Sequence, residues 1–479
     1  MIPFVGFAPD LDPATPGVIT DCDDLLPTVR GFKSMPAQVA TTYPALAAEC
    51  LGAAIVVKLD ATTRLFAGTD TKLYEGASTS WTDVSVGAGT YTSGEKRWRF
   101  AQFGNTTIAT NYLDAMQSSS SGAFANVTGP KAKCIDAAAG FVMVADTNEG
   151  TYGAQSDRWW CSAFQDASDW TPAVATQCTT GRLIESPGPI RAMKALGSDF
   201  VAYKDRAMFL GRYVGSPAVF EWTQLPGEIG AAAQEAVVSV GSQHIFVGYE
   251  DIYIFDGSRP VAIGAPIKKW FFDNLNKPYR YRIHGMHERS ASRVWFFFNK
   301  GTSTSLNAAI VYNYVSGQWG YLTLDVETPI EYLTGLITYN TLGDYFSTYN
   351  DLPSVSYDSP FWTQTAPVPA IFDTTHTIKL FSGASAGCSI TTGDYGDDAQ
   401  YSLLTRARLR CITSPTSATA TNYTKAVAGD SLTTGSTPTM SDGRFDFLAS
   451  SRWHRLKYDL VGDAEVVGHD LYLVREGTE

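Results

Sequence analysis

The chain has 479 residues, of which 44% are hydrophobic, 13% aromatic and only 18% charged, so it is a packed globular protein rather than a disordered one, and long enough for two or three domains. Thirty-six Lys and Arg against 48 Asp and Glu leave a net charge of −12. That balance argues against a surface that grips nucleic acid by neutralising phosphates, though not against a wall that DNA merely slides past.

Residues 1–45 carry Pro3, Pro9, Pro13, Pro16, Pro27, Pro36 and Pro44, with Asp10, Asp12, Asp21, Asp23 and Asp24 between them. Prolines this dense forbid long helices and central strands, so an extended Pro-rich arm is expected, lying on a surface or reaching a neighbour. The first six residues lack the basic-then-apolar pattern of a secretory signal. No stretch approaches the ~20 apolar residues of a membrane helix, so no membrane segment is expected.

Residues 46–383 repeat. Trp81, Phe124, Trp170, Trp222, Trp270, Trp319 and Trp362 recur at intervals of 43 to 52 residues, with Trp270 included on spacing alone. Between them, Phe66 to Gly76, Phe200 to Gly211 and Phe246 to Gly257 share one layout: an apolar strand, a turn containing Asp70, Asp205 or Asp251, and a second strand ending at Gly. Asp suits the turn because its carboxylate bonds nearby N–H groups, and Gly tolerates positive φ. Small sheets repeating every 40–50 residues bury their faces by stacking radially, which predicts an all-β fold: a β-propeller of about seven blades, six to eight being allowed. An irregular β-sandwich is the alternative. The one helical candidate is the Ala-rich stretch 230–240, which equally suits a buried strand.

Residues 384–479 read as a small C-terminal β-domain. One strand alternates Arg406, Arg408 and Arg410 with Ala407, Leu409 and Cys411. The arginine row is either a contact for a partner's carboxylates or phosphates, or the solvated face of an edge strand, and the second reading is favoured.

Chemistry is sparse. Gly383-Ala384-Ser385-Ala386-Gly387 matches a nucleophile elbow but lacks a following helix. His284 and His287 lack the spacing and the intervening Glu of a zinc-protease helix, and two hydrogen-bonded surface histidines are expected instead. Asp146, Asn148 and Gly150, like Asp394, Asp397 and Asp398, lack a calcium loop's full ligand spacing. Asn105, Asn126 and Asn422 begin sequons that are silent without secretion. Seven cysteines without a Cys-x-x-Cys pair indicate neither a disulfide framework nor a zinc ribbon; reduced thiols are the simpler expectation. No catalytic residue, metal site or cofactor is assigned.

Three runs carry a family resemblance. They are Pro3-Phe4-Val5-Gly6-Phe7-Ala8-Pro9-Asp10-Leu11-Asp12-Pro13, followed by Thr15 to Ile19, Asp24 to Pro27 and Arg30-Gly31; Arg97-Trp98-Arg99-Phe100-Ala101-Gln102-Phe103-Gly104 with Ile108 to Asn111; and Ser451-Arg452-Trp453-His454-Arg455. The chain resembles the tail nozzle proteins of short-tailed bacteriophages, the tail tubular protein B-like or packaged-DNA stabilisation family. The resemblance implies a β-propeller virion protein made in the bacterial cytoplasm and assembled in the tail. It implies a homohexameric ring below the portal–adaptor complex, attaching tail fibre, needle or spike proteins, through which double-stranded DNA passes without specific binding. It implies no catalytic residues. A carbohydrate-binding or glycan-cleaving propeller is the competing expectation, and it requires Trp and carboxylates gathered in one pocket.

Overall fold

Short apolar strands broken by Gly, Asn and Asp fold into seven antiparallel four-stranded blades, six of them separate sheets and one the start of a ten-stranded sheet, in the computed structural model, which describes residues 1–77, 79–333, 348 and 367–477. From first to fourth strand, blade 1 runs from Gly52–Val57 to Ser80–Asp83, blade 2 from Arg99–Phe103 to Ala125–Asn126, and blade 3 from Lys131–Ala138 to Thr179–Arg182. Blade 4 runs from Ile190–Leu196 to Val219–Gln224, blade 5 from Val237–Val240 to Val261–Ala262, and blade 6 from His284–Glu288 to Gln318–Val326. The first strands stand beside one another in a closed ring, and that of blade 7, Thr328–Leu333, lies between those of blades 6 and 1. The protein is therefore a seven-bladed β-propeller.

Blade 7 is made from two distant pieces. Thr328–Leu333, Pro367–Phe372 and Ile378–Gly383 supply three strands, and Ala37–Ala40 from the N-terminal segment supplies the fourth, with Val39 opposite Leu380. Blade 6 does not end at its fourth strand either. Tyr321 pairs with Leu25, and the sheet continues through Leu25–Pro27, Phe32–Ser34, Glu465–Arg475, Ser402–Thr413 and Arg444–Ser451. A second sheet of Gly6–Phe7, Val18–Asp23, Gly387–Gly396, Trp453–Val461, Ser417–Lys425 and Thr433–Thr434 completes a C-terminal sandwich. One hydrophobic core runs through both parts, from Phe271 and Trp319 in the propeller to Phe445 and Tyr458 in the sandwich.

Residues 1–45 thus differ from the extended arm expected of them. They are woven into both sandwich sheets and into blade 7, because their prolines sit where no ladder N–H is needed: Pro3 and Pro27 at strand ends, Pro9, Pro13 and Pro16 in the turns between strands. Gly17 makes the crossing possible. Its φ is +81°, its carbonyl accepts the Val5 N–H at 2.8 Å, and a Cβ there would lie 2.0 Å from the Pro3 carbonyl oxygen.

The Ala-rich stretch 230–240 is no helix; it turns into the first strand of blade 5. The α-helix is Lys268–Asn274, between blades 5 and 6, and it carries Trp270. That ring packs edge-on to Phe7 at 4.9 Å and Tyr321 at 5.1 Å, while the Asp10 carboxylate accepts the Trp270 backbone N–H at 3.0 Å. Trp270 therefore belongs to the joint with the N-terminal segment rather than to the repeat. The other described anchors sort by blade. Trp81, Trp222 and Trp319 lie on fourth strands, Phe124 immediately precedes one, and Trp170 is buried in the loop before the fourth strand of blade 3. Most fill the wide outer gap between blades, as Trp222 does against Trp159 at 5.4 Å and Phe124 against Phe66 at 5.1 Å, whereas Trp319 stacks near Tyr312 of its own blade in the core shared with the sandwich. Trp362 lies outside the described residues.

Gly17→Ala forces a left-handed, crowded position and is expected to lower stability by about 2 kcal/mol or more in chemical denaturation. An unchanged unfolding midpoint would show that the N-terminal crossing does not hold the sandwich together.

Candidate functional site

In a propeller, the turns from second to third strands and the starts of the first strands share one end. At that end the chain places an acid or amide in every blade: Asp70, Asp146, Asp205, Asp251 and Asp373 in blades 1, 3, 4, 5 and 7, and Asn111 and Asn299 in blades 2 and 6. The carboxylates fix cations. Asp146 holds Lys133 at 2.9 Å, Asp205 holds Arg191 at 2.6 Å, and Asp251 holds Lys268 at 3.2 Å. Asp146 lies at a bulge within the second strand of blade 3 and the others in the turn that follows the second strand; only Asp70, Asp205 and Asp251 stand out in the sequence, because strand lengths vary and shift the spacing from blade to blade.

Inside this ring lies a cavity of about 280 Å³ on the propeller axis, walled by Lys96, Arg97 and Arg99 of blade 2 with Lys133 of blade 3 and Arg191 of blade 4. Its centre is an ion pair across the ring. Arg99 of blade 2 reaches Glu235, which precedes the first strand of blade 5, with Nη2 donating to Oε2 at 3.0 Å and Nε donating to Oε1. The remaining Arg99 nitrogen donates to the Lys133 carbonyl at 2.7 Å. Burial alone would raise the Glu235 carboxyl, but the charge and hydrogen bonds of Arg99, aided by His284 and Arg97, hold it down at about 2. Burial likewise opposes the Arg99 charge, and Glu235 overrides it, raising the guanidinium. The axis is thereby plugged by charge.

Two neighbours of this pair are less well matched. Arg97 donates to the Glu327 carbonyl at 3.2 Å and to Thr328 Oγ1 at 3.4 Å, both neutral, and burial lowers its pKa. His284, on the first strand of blade 6, is pushed down to about 3 by burial and by the charges of Arg97, Lys194 and Arg99, against the pull of Glu235. It is therefore neutral at physiological pH, and its buried Nδ1 has no hydrogen-bond partner. Oxyanion recognition is the chemistry this arrangement supports. The carboxylates of Glu95, Asp146 and Glu235 are engaged by Arg282, Lys133 and Arg99. No group of three or more His, Cys, Asp or Glu among the described residues is placed to hold a metal.

The other sequence candidates lie elsewhere. His284 and His287 are not surface residues but inner-strand residues of blade 6, His287 bonding Tyr314 at 3.2 Å, because the strand that carries them lines the propeller interior. Ser385 sits in the loop between two strands, its Oγ accepting the Gly387 N–H at 3.1 Å and its backbone N–H donating to Asp463 Oδ1 at 2.9 Å, and a strand rather than a helix follows. Arg406 pairs with Asp446 at 2.7 Å and Arg410 with Asp470, while Arg408 is exposed. Their strand is not an edge but lies between Glu465–Arg475 and Arg444–Ser451. Asp394 bonds Lys425 at 2.7 Å and Arg455 at 2.8 Å, the sequon residue Asn422 is fully buried, and all seven cysteines are unpaired.

No family model and no curated protein matches the chain. Among solved structures, the chain is similar to BBS1N at 10% identity and a TM-score of 0.40, covering 72% of this chain and 96% of that one. YCF48 from Cyanidioschyzon merolae is similar at 10% identity and a TM-score of 0.35, covering 60% and 88%. An exo-beta-1,3-galactanase from Phanerochaete chrysosporium is similar at 10% identity and a TM-score of 0.29, covering 91% and 100%.

Two outcomes follow from these electrostatics. Glu235→Gln strands the Arg99 charge and is expected to cost about 3–5 kcal/mol, read from urea or thermal unfolding, with much of the loss recovered in Arg99→Met/Glu235→Leu. The histidines set the acid limit. Burial holds His244, His287 and His469 at about 4 and His284 at about 3, all below the usual histidine value of about 6.5. The unfolded chain binds protons there and the folded chain does not, so this stability is complete above 6.5 and falls as pH drops toward 4, by about 1.4 kcal/mol per histidine per unit. Asp24, raised to about 6 by burial and Asp23, opposes the trend, as do Asp21, Asp146, Glu327 and Glu331, whose carboxyls burial also raises. The melting temperature should still fall between pH 6.5 and 4.5; a flat profile there would mean that these carboxyls cancel the four buried neutral histidines.

Proposed function

We propose that this chain is a structural virion protein, the tail nozzle of a short-tailed bacteriophage, acting as one of six subunits in a ring that prolongs the DNA channel below the portal and adaptor. What carries the reading is the position of the three runs that resemble that family. The N-terminal run threads both sandwich sheets and reaches blade 6 through Leu25. The Arg97–Gly104 run holds the axial ion pair, and Trp98 ties blade 2 to blade 1 by donating to the Thr69 carbonyl at 2.8 Å. The Ser451–Arg455 run joins the two sandwich sheets, with His454 Nε2 at 3.0 Å from the Ser402 carbonyl. All three are architectural joints, as befits a protein whose work is mechanical.

DNA does not pass along the propeller axis, which Arg99 and Glu235 block; its channel is the one enclosed by the ring of subunits. A wall of net charge −12 repels phosphates and lets DNA slide. Retention of the genome and attachment of fibre, needle or spike proteins fall to surfaces of the assembled ring. A glycan-cleaving propeller fits less well, since no Trp lines the axial cavity and its carboxylates are paired.

Light scattering and electron-microscope class averages of the purified chain, alone and with a portal–adaptor complex, test the proposal. Six-fold rings, free or on the connector, are expected. A chain that stays monomeric and ignores the connector would sink it.

A further inference from the structure

We infer that the axial cavity is a binding site for an oxyanion group, a carboxylate or phosphate received by the guanidinium of Arg97. The argument begins with charge. The cavity wall holds five cations, of which Lys96, Arg99, Lys133 and Arg191 are paired with Asp70, Glu235, Asp146 and Asp205. Arg97 alone of the five is left without a carboxylate among the described residues, and an unmatched cation inside an acidic chain calls for a specific cause.

Comparing blades supplies it. In blades 3 and 4 the cation at the start of the first strand is matched by a carboxylate of its own blade, Lys133 by Asp146, at a bulge in the second strand, and Arg191 by Asp205 in the following turn. In blade 2 the turn residue is Asn111, whose amide is already engaged with Asp114 at 2.8 Å. The blade 2 arginines therefore have no carboxylate of their own. Arg99 reaches across the ring to Glu235. Arg97 has only the Glu327 carbonyl and the Thr328 hydroxyl, and no carboxylate partner among the described residues.

A buried guanidinium with neutral partners keeps its fork available for a planar, bidentate acceptor, the geometry in which Arg–carboxylate and Arg–phosphate bonds are strongest. The surroundings are shaped for a ligand as well. His284 holds an unpartnered buried Nδ1 close enough to feel the charges of Arg97 and Glu235. Two non-glycine residues of the wall, Tyr112 at φ +69° and Asp146 at φ +53°, hold left-handed backbone, the kind of stored strain found at binding sites. The ring of Tyr112 lies 4.6 Å beneath the Lys133 ammonium, which fixes that cation at the rim.

The site is tested by titration calorimetry on the full chain at constant ionic strength, with sodium chloride as the reference and inorganic phosphate, succinate and a short N-acetylated Glu-rich peptide as probes. Saturable binding with one site per chain is expected for at least one probe, weakened about tenfold or more in Arg97→Gln and unchanged in Arg410→Gln on the sandwich. Binding of succinate or phosphate alone assigns the site to a free small anion. Binding of the peptide alone assigns it to an acidic segment presented by another chain. Arg97→Lys, which keeps the charge but loses the fork, guards against a misfolded Gln variant and is expected to weaken binding while leaving the thermal transition intact. No saturable binding by any probe, or equal binding by wild type and both Arg97 variants, overturns the assignment.

Discussion

The pairing of Ala37–Ala40 with Ile378–Gly383 is the constraint on which the molecule depends. A ring of radial sheets is stable only when every blade has a neighbour on both faces, so an unclosed ring exposes the faces of its first and last blades. Here the last blade is completed by chain from before the first. Opening the ring between blades 7 and 1 therefore means breaking a hydrogen-bonded ladder as well as separating packed side chains. The same N-terminal segment is held at other points, since Ile2–Pro3 pairs with Glu465–Arg475 and Val18–Asp23 with Gly387–Gly396. Propeller and sandwich are consequently one body, and blade 6 with its extension forms a single sheet across the joint.

Closure brings seven strand starts together at one end, and with them the charged residues that begin several of those strands. Burying an ion pair there is a poor way to gain stability, because desolvation consumes most of the Coulombic attraction. Arg99 and Glu235 do something packing alone does not. They join blades on different sides of the ring, and they satisfy each other only when the ring has its proper diameter. The bonds from Trp98 to Thr69 and from Arg97 to blade 7 extend that restraint to the neighbouring blades. A charged axis thus specifies blade arrangement where the central gap is too wide for apolar side chains to meet.

Much of the architecture is legible in the sequence, for a physical reason. Aromatic rings at the outer strands fill space that the blade backbones leave open, so Trp81, Trp222 and Trp319 recur once per blade and expose its period. The period misleads at Trp270, where a helix between blades happens to have the right length. The path of residues 1–45 is illegible because proline density reports which local conformations are forbidden, whereas partners such as Val467 and Asp394, which bond Phe4 and Pro13, lie at the far end of the chain. The axial cavity is illegible for a related reason. Its residues come from different blades, and each one alone looks like an ordinary charge at the start of a strand.

What distinguishes that cavity is a break in the repeat rather than the repeat itself. In blades 3 and 4 an Asp at that end of the propeller neutralises a cation at the start of the inner strand, and a propeller using that arrangement in every blade would have a charge-balanced axis. Blade 2 departs from it, with Asn111 in place of the acid and two arginines where blades 3 and 4 match a single cation to a carboxylate of their own. Removing the acid also lowers the cost of keeping Arg97 ready for an external acceptor, because no internal carboxylate competes for its fork. Although the chain as a whole is acidic, Arg97 presents an unmatched cation within the low-dielectric walls of the axis. An anion that arrives there gains both from the focused field and from a guanidinium whose position the closed ring has already fixed.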